Sequence, residues 1–268
     1  AIGHIKLAEL RLQHLNNLYK ELSQDGMNKR TGGKLSNKTI IEHHRIISAI
    51  LTQAEKEMLI PYNPARKAMP PKPKKKEVNY FQIQDVKNIL EYLEKEPLKW
   101  QVLTKLLIMT GCRRGEILGL KWSKIDWINN IVKTDNNLLY SAEKGIFEDT
   151  TKTRKARSIR LPAEIMTVLA EYKAEFMELK ENNGDRWKGT ETSAAPKTGK
   201  WIKNDYLFVQ DDGQPMHPDS ITDWLSKFAK RHCLPHINPH AFRHTMASIL
   251  ISQGVDIVTV SKQLGHEK

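Results

Sequence analysis

A twelve-residue run in the first third of the chain, Ala65 to Lys76, limits the fold more than any other feature of the sequence. It holds six basic residues, three prolines and no acidic residue. Proline disrupts helix interiors, and repulsion between like charges keeps such a run extended. The sequence therefore predicts two domains, residues 1–64 and 80–268, joined by a basic interdomain linker at 65–79.

Residues 1–64 have the pattern of an all-α domain. Leucines recur at near-helical spacing from Leu7 to Leu22, and the glycine-bearing stretch 25–33 ends that segment. A second helix is predicted from a cap at Ser36 to about Met58, before prolines stop it.

Residues 80–268 alternate helices with a few short strands, which predicts a mixed α+β domain rather than a long parallel sheet. Helices are predicted at 82–95, 99–109, 114–121, 162–180, 219–232, 239–253 and 256–264. Strands are predicted at 130–134, 138–140, 157–161 and 206–209.

The charge is strongly positive and unevenly distributed. The chain carries a formal net charge of +12, and residues 1–80 hold 15 basic and 7 acidic side chains. A surplus concentrated in this way is expected of a protein that follows a phosphate backbone, although a soluble basic protein with a lysine-rich face would also show it.

Other function classes are excluded by composition. The longest apolar run is the four residues 106–109, far short of the roughly 20 residues that a membrane helix needs. With only two cysteines and no signal peptide at the start, the chain is not a secreted disulfide scaffold, and the cytoplasm is the expected compartment.

The segment from Thr110 to Trp122 is the strongest candidate for chemistry. A glycine ends one apolar helix, Arg113 and Arg114 lie on the turn that opens the next, and Glu116 stands where it could orient a guanidinium. Arginine grips a phosphate with two parallel donors, and a tight turn would aim it rigidly. The alternative is an exposed interhelix turn with solvated arginines.

A second candidate is Lys152, in a basic segment that runs from Thr150 to Pro162 without an acidic residue. Alternation at its end, with Ser158 and Arg160 outward, predicts a hairpin with a cationic tip. A lysine held there could protonate a leaving oxygen. A basic edge strand that resists aggregation is the alternative.

Two further candidates lie near the end of the chain. His240 and Arg243, three residues apart on a predicted helix, share a face and could contact one phosphate. His266 follows Leu264 and Gly265 just past another helix, where histidine is also common for capping reasons alone.

A zinc site is not expected at the histidines that recur every four residues from His232 to His244. Pro235 and Pro239 forbid the continuous helix on which they would form a stripe. No carboxylate occurs between Asp223 and Asp256 to complete a ligand set.

Together these pieces resemble the tyrosine recombinase/integrase family, most closely the integrases of phages and conjugative transposons. The matching features are Arg113, Lys152, His240-x-x-Arg243 and His266, in this order and at these separations. Residues 36–65 are similar to the family's helical core-binding domain. The resemblance implies an all-α core-binding domain followed by a mixed α+β catalytic domain of the tyrosine recombinase type.

For the site, the resemblance implies two rounds of phosphoryl transfer through a 3′-phosphotyrosine, with no metal and no cofactor. Arg113 and Arg243 would clamp the scissile phosphate, and Lys152 would be the general acid. His240 would be the base or proton shuttle, and His266 would donate a hydrogen bond to the phosphate. Glu116 would hold its neighbours rather than touch DNA.

One feature departs from the family. Its nucleophilic tyrosine lies a short distance beyond the Leu-Gly-His box, but this chain stops at Lys268 and its last tyrosine is Tyr206. We therefore expect a chain clipped at both ends and inactive for cleavage. The alternative is a DNA-binding module or a catalytically dead integrase relative. A metal-dependent nuclease would need clustered carboxylates, which the sequence does not offer.

The expected partner is double-stranded DNA, at the ends and target of a mobile element that the enzyme integrates or excises inside a bacterium. The resemblance also implies a homotetramer assembled on two duplexes, with an excisionase or a host DNA-bending protein as candidate accessories. The predicted DNA contacts are Lys38, His43 and Arg45 in the second helix, Lys72, Lys74, Lys75 and Lys76 in the linker, and Arg154 and Lys155 beside Lys152.

Overall fold

The computed structural model describes residues 2–73, 80–150, 156–188 and 205–264. The chain divides into two compact units, residues 1–77 and 78–268. None of the helices in the described ranges is long and apolar enough to span a bilayer.

The described part of the first unit is helical. Its elements are α1 (Leu12–Leu22), α2 (Asn37–Lys56) and two short 3-10 turns at Leu7–Glu9 and Pro64–Lys67. Ser36 caps α2 by accepting a hydrogen bond from the backbone N–H of Thr39, which confirms the predicted cap. The buried side chains are Leu15, Tyr19, Leu22, Ile40, Leu51, Ala54, Ile60 and Ala65.

The segment after α2 folds back onto this unit through Asn63. Its buried side-chain amide donates to the Ser48 carbonyl at 3.0 Å and to Thr52 Oγ1 at 2.9 Å. Its side-chain oxygen accepts from the Ala65 N–H at 2.8 Å. Farther along, the Met69 N–H donates to Asn16 Oδ1. The first residues of the predicted linker therefore lie on the first unit.

The second unit contains five strands and seven helices within its described residues. The helices are α3 (Ile83–Leu93), α4 (Leu98–Thr110), α5 (Arg114–Leu118), α6 (Ala163–Asn183), α7 (Pro218–Arg231), α8 (Pro239–Ser252) and α9 (Ile257–Leu264). The strands are β1 (Ile125–Asp126), β2 (Ile131–Thr134), β3 (Asn136–Ser141), β4 (Gly145–Thr150) and β5 (Arg157–Arg160). Short 3-10 turns at Trp122–Lys124 and Gly184–Arg186 complete the set.

The strands form two small antiparallel sheets. One has the order β1-β2-β5, with Ile131 opposite Arg160 and Thr134 opposite Arg157. The other is the β3-β4 hairpin. β4 and β5, which flank residue 152, thus pair with different strands, so the prediction of one hairpin around that residue is wrong for the described residues.

The centre of the second unit is α4, which is apolar on nearly all sides and buried from Val102 to Ile108. α6 and α8 pack against it. The predicted helices fall at their observed positions, but α5 ends three residues early, at Leu118, where Gly119 approaches the backbone of Asn136.

Three strand predictions differ from the structure. β1 and β4 were not predicted. Residues 206–209 form only isolated bridges, Lys121 with Tyr206 and Val209 with Pro215. That segment is apolar and buried because it crosses the core, so its hydrophobicity reflects burial rather than a sheet ladder.

Asn63→Ala is expected to destabilise the first unit. The substitution removes a buried amide and leaves three hydrogen-bonding groups without it, at a cost of about 1–3 kcal/mol. Asn37→Ala, which removes an exposed side-chain bond to the Lys72 carbonyl, is the matched control. Hydrogen exchange of peptides from α2 measures the effect, and equal protection in the two variants would contradict this role of Asn63.

Candidate active site

The site begins where α4 ends, at Gly111. Its φ of +57° is a left-handed conformation that favours glycine. A Cβ there would lie 2.6 Å from Met246 Sδ and 2.7 Å from Leu264 Cδ2. Gly111 therefore lets α8 and α9 approach the end of α4 closely.

Arg113 follows as the residue before α5, and Glu116 holds it in place. The Arg113 N–H donates to Glu116 Oε2 at 2.9 Å, and its Nη1 donates to Glu116 Oε1 at 2.7 Å. The Arg113 side chain is 30% exposed and the Glu116 side chain only 3%. The carboxylate is thus a buried support for a guanidinium that reaches solvent.

A second guanidinium, that of Arg157 at the start of β5, also donates to Glu116 Oε2. Its Nη2 lies 3.7 Å from the sulfur of the buried Cys112. Burial raises the pKa of the Cys112 thiol to about 11, so this cysteine is a neutral packing residue at neutral pH.

Arg243, on α8, is almost fully buried, with 3% of the residue exposed. It donates from Nη1 to the Gly111 carbonyl at 2.7 Å and from Nη2 to the Leu264 carbonyl at 2.5 Å. Burial, and then the charge of nearby Arg113, lower its pKa to about 10, which still leaves it protonated at neutral pH. One side chain thus joins the ends of α4 and α9.

His240 lies in the first turn of α8, after Asn238, whose side chain caps the helix by accepting from the Ala241 N–H. Its ring centroid is 5.4 Å from that of His244. Partial burial, His244, Arg243 and Arg113 together lower the pKa of His240 below its usual value near 6.5. The imidazole is therefore neutral at pH 7 and able to accept a proton.

The structure brings four of the predicted site residues into one neighbourhood: Arg113, Glu116, His240 and Arg243. Lys152 and His266 lie outside the described residues, as do Lys74, Lys75, Lys76, Arg154 and Lys155. Arg114 turns away from its neighbour Arg113, because its Nη1 pairs with Asp219 on α7 at 2.7 Å.

Sequence reasoning missed Arg157 as part of this site. It lies in a run of basic residues, each of which could be interpreted from the sequence as a DNA contact. The sequence signal that could have identified Arg157 was the alternation predicted for this strand. As expected from it, Ser158 and Arg160 are exposed and Ile159 is buried. Arg157 shares the inward face with Ile159.

The predicted DNA contacts on α2 do not form one surface. Lys38, His43 and Arg45 are all exposed, and Arg45 pairs with Glu42 at 2.7 Å. Lys38 and Arg45 lie two helical turns apart on one stripe, but His43 is rotated by about 140° from Lys38 around the helix axis. Lys72 is exposed, and its carbonyl accepts from the Asn37 side chain.

No metal centre forms within the described ranges, where no group of three or more His, Cys, Asp or Glu side chains could hold an ion. The histidine series is divided between elements. His232 ends α7 and stacks on Tyr92 at 4.4 Å between ring centroids, whereas His240 and His244 lie on α8.

Comparisons with known proteins agree on one family. Residues 79–268 match the profile of the Phage integrase family. The chain is similar to a "Tyrosine recombinase XerC-like" protein of Caldanaerobacter subterraneus subsp. tengcongensis, with 26% identity over 98% of this chain and 66% of that protein. It is also similar to the "ICEBs1 integrase" of Bacillus subtilis, with 25% identity over 87% and 59%. The chain therefore spans less than two thirds of the length of these relatives.

Among solved structures, the fold is similar to that of the Tn1549 transposon integrase in complex with a circular intermediate DNA. The TM-score is 0.78 at 19% identity, over 98% of this chain and 79% of that one. A second similar structure is XerH recombinase bound to its difH substrate, with a TM-score of 0.65 at 19% identity over 98% and 65%.

The lowered pKa of His240 gives a direct test. In an NMR titration, the imidazole of His240 is expected to protonate with a midpoint below the usual 6.5 or so. His244→Asn removes a neighbouring imidazole whose electrostatic effect lowers the pKa of His240, so the midpoint of His240 should rise. A His240 midpoint at or above the usual value in the unsubstituted chain would contradict the described environment.

Proposed function

The chain belongs to the phage integrase family of tyrosine recombinases, and on that premise we propose that it is the core-binding and catalytic part of a site-specific DNA recombinase. The enzyme cuts and rejoins strands through a 3′-phosphotyrosine, to integrate or excise a mobile element. The relatives include the "ICEBs1 integrase" of Bacillus subtilis and the "Transposase A from transposon Tn554" of Staphylococcus aureus, which support the mobile-element role.

The observation that carries this proposal is the charge of the cluster around Glu116. Arg113 and Arg157 donate to the Glu116 carboxylate, and Arg243 is near enough to interact electrostatically with all three groups. These four side chains therefore carry a surplus of two positive charges. A phosphodiester gains negative charge as a nucleophile adds to it. A fixed positive site of this kind stabilises that transition state with little reorganisation.

The two family arginines have different roles in this geometry. Arg113 is the guanidinium that reaches solvent, and it binds a non-bridging oxygen of the scissile phosphate. Arg243 uses two of its five N–H groups to bind backbone carbonyls. From its buried position it supplies positive charge, and a remaining N–H donor, to the phosphate.

The side chains around the two arginines carry out the proton transfers. His240, neutral at pH 7, accepts the proton of the attacking hydroxyl. Lys152 protonates the departing 5′-oxygen, and His266 donates a hydrogen bond to the phosphate, as the family resemblance implies. Bond energy is kept in the covalent adduct, so the reaction needs no nucleotide triphosphate.

We place the nucleophile after Lys268. Three of the seven tyrosines in this chain are committed elsewhere, since Tyr19 bonds to His44, Tyr172 to the Leu207 carbonyl and Tyr206 to Glu148. Burial raises the pKa of each of these three hydroxyls, which opposes the ionisation that a nucleophile needs.

The first unit binds the core DNA site with the exposed side of α2, through the stripe of Lys38 and Arg45. The basic residues of the linker, together with Arg154 and Lys155, contact the phosphate backbone of the DNA. Recombination exchanges strands between two duplexes, so a homotetramer assembles on DNA, with an excisionase or a DNA-bending protein as accessory.

The rival function is a DNA-binding module without catalysis. Covalent trapping separates the two. The protein, continued past Lys268 with the residues that follow in its gene, is incubated in chelator with a nicked duplex carrying the element's end, then denatured. We expect a DNA-linked band, with the linkage mapped beyond Lys268. Tight binding without a band would support the rival.

Arg113→Ala is expected to abolish this band while raising the dissociation constant for DNA by less than about threefold, because the diffuse basic surface supplies most of the affinity. Arg114→Ala is the matched control, since its guanidinium faces Asp219, and it should still cleave. Equal loss of binding and cleavage in Arg113→Ala would contradict this division of labour.

The linker gives a separate prediction about binding. Each phosphate contact adds a slope of about −0.9 to log K against log salt. The triple variant Lys74→Gln, Lys75→Gln, Lys76→Gln should therefore flatten the slope by up to about 2.7 in filter binding at several salt concentrations. An unchanged slope would remove these lysines from the DNA contact surface.

A further inference from the structure

Arg157 is a charged residue that the family resemblance did not assign, and it contacts the centre of the site. We propose that Arg157 is a positioning residue for Arg113 that acts through Glu116, an inference that rests on the proposed function. Its side chain is only 11% exposed, so it is poorly placed to bind DNA. Arg160, on the same strand, is exposed and serves as its natural comparison.

The turn that carries Arg113 needs support from outside. α5 has only five residues, too few for an independently stable helix, and its first flanking residue is an arginine rather than a good capping residue. Glu116, at the third position of the helix, reaches back and accepts the Arg113 N–H, as the acidic residue of a capping box does. The geometry of Arg113 therefore depends on where the Glu116 carboxylate points.

Arg157 fixes that carboxylate from a separate element. Oε1 of Glu116 accepts from the Arg113 guanidinium, whereas Oε2 accepts from the Arg113 N–H and from Arg157. β5 holds Arg157 in the ladder opposite Thr134 of β2. The two carboxylate oxygens thus have different partners, and the carboxylate cannot rotate without breaking the bond to β5.

Charge gives Arg157 a second effect on Arg113. The Glu116 side chain is buried, and a buried carboxylate requires a positive partner. With Arg157 present, two guanidiniums share that one negative charge. Without it, Glu116 would be neutralised by Arg113 alone, and less positive potential would remain for a phosphate.

The main test measures cleavage of the nicked duplex at saturating concentrations of the protein continued past Lys268. Arg157→Gln should lower the first-order rate constant by about 10- to 100-fold, a range typical of supporting residues around a reactive centre. The dissociation constant for DNA and its salt slope should stay unchanged, because a buried guanidinium releases few counterions. Arg157→Lys should recover part of the rate, and Arg160→Gln should cleave normally.

A double-mutant cycle identifies the route. If Arg157 acts through Glu116, the double variant Glu116→Gln, Arg157→Gln should cleave within about threefold of the slower single variant. If the fold reductions in rate of the two single variants multiply in the double variant, the proposal is overturned. The double variant removes the buried carboxylate together with its partner Arg157, so no buried charge loses a partner. It therefore tests the route even where Arg157→Gln folds poorly, which circular dichroism would reveal.

A substrate with sulfur in place of the 5′-bridging oxygen distinguishes Arg113 from Lys152, which is the proposed general acid. A thiolate leaves without needing protonation, so a defect in the general acid disappears with this substrate. We expect the Arg157→Gln defect to persist. Restoration of the rate would overturn the assignment to Arg113.

One measurement does not depend on cleavage. In the unsubstituted chain, the Arg113 Nε–H should show the heteronuclear NOE of a rigid group on the picosecond to nanosecond timescale, and Arg157→Gln should reduce that NOE while Arg160→Gln leaves it unchanged. An equally rigid Arg113 in Arg157→Gln would overturn the positioning role. A protein that fails to cleave but passes this test would overturn only the proposed function.

Discussion

The buried carboxylate of Glu116 is the interaction on which the arrangement of this site depends. A charge removed from water is costly unless paired, and removing one partner of such a group costs far more than the pair contributes. Here the partners come from two places in the chain, Arg113 just before α5 and Arg157 on β5, some forty residues apart. The need to satisfy one carboxylate therefore brings a short helix and a sheet edge together.

A second constraint operates on the other side of the site, where Arg243 joins the carbonyls of Gly111 and Leu264. Helix ends leave carbonyls without intrahelical partners, and a buried guanidinium satisfies two of them at once. The close approach is sterically allowed only because residue 111 lacks a Cβ. The same side chain that carries positive charge thus also fixes the end of α9, the helix that precedes His266.

Much of this could be predicted from the sequence because local signals determined it. Ser36 and Asn238 cap α2 and α8 where such residues should, and the i, i+3 spacing of Glu116 from Arg113 implied their contact. The pairing of strands could not be predicted. The sequence of β4 has no clear strand pattern, and this segment is a strand because it pairs with β3. In the sequence Arg157 stands in a run of basic residues, and its buried partner Glu116 is brought to it by long-range packing.

The burial of the guanidiniums also explains why affinity and chemistry can be separated in one basic protein. Counterion release depends on exposed lysines and arginines, and residues 1–80 have more than twice as many basic as acidic side chains. Arg243 and Arg157 expose too little surface to contribute much to that term. Under the proposed function, their desolvation instead strengthens the field at the phosphate that Arg113 would bind, since electrostatic interactions are stronger where water is excluded. Evenly distributed exposed charge would bind DNA equally well and would not concentrate its field on one bond.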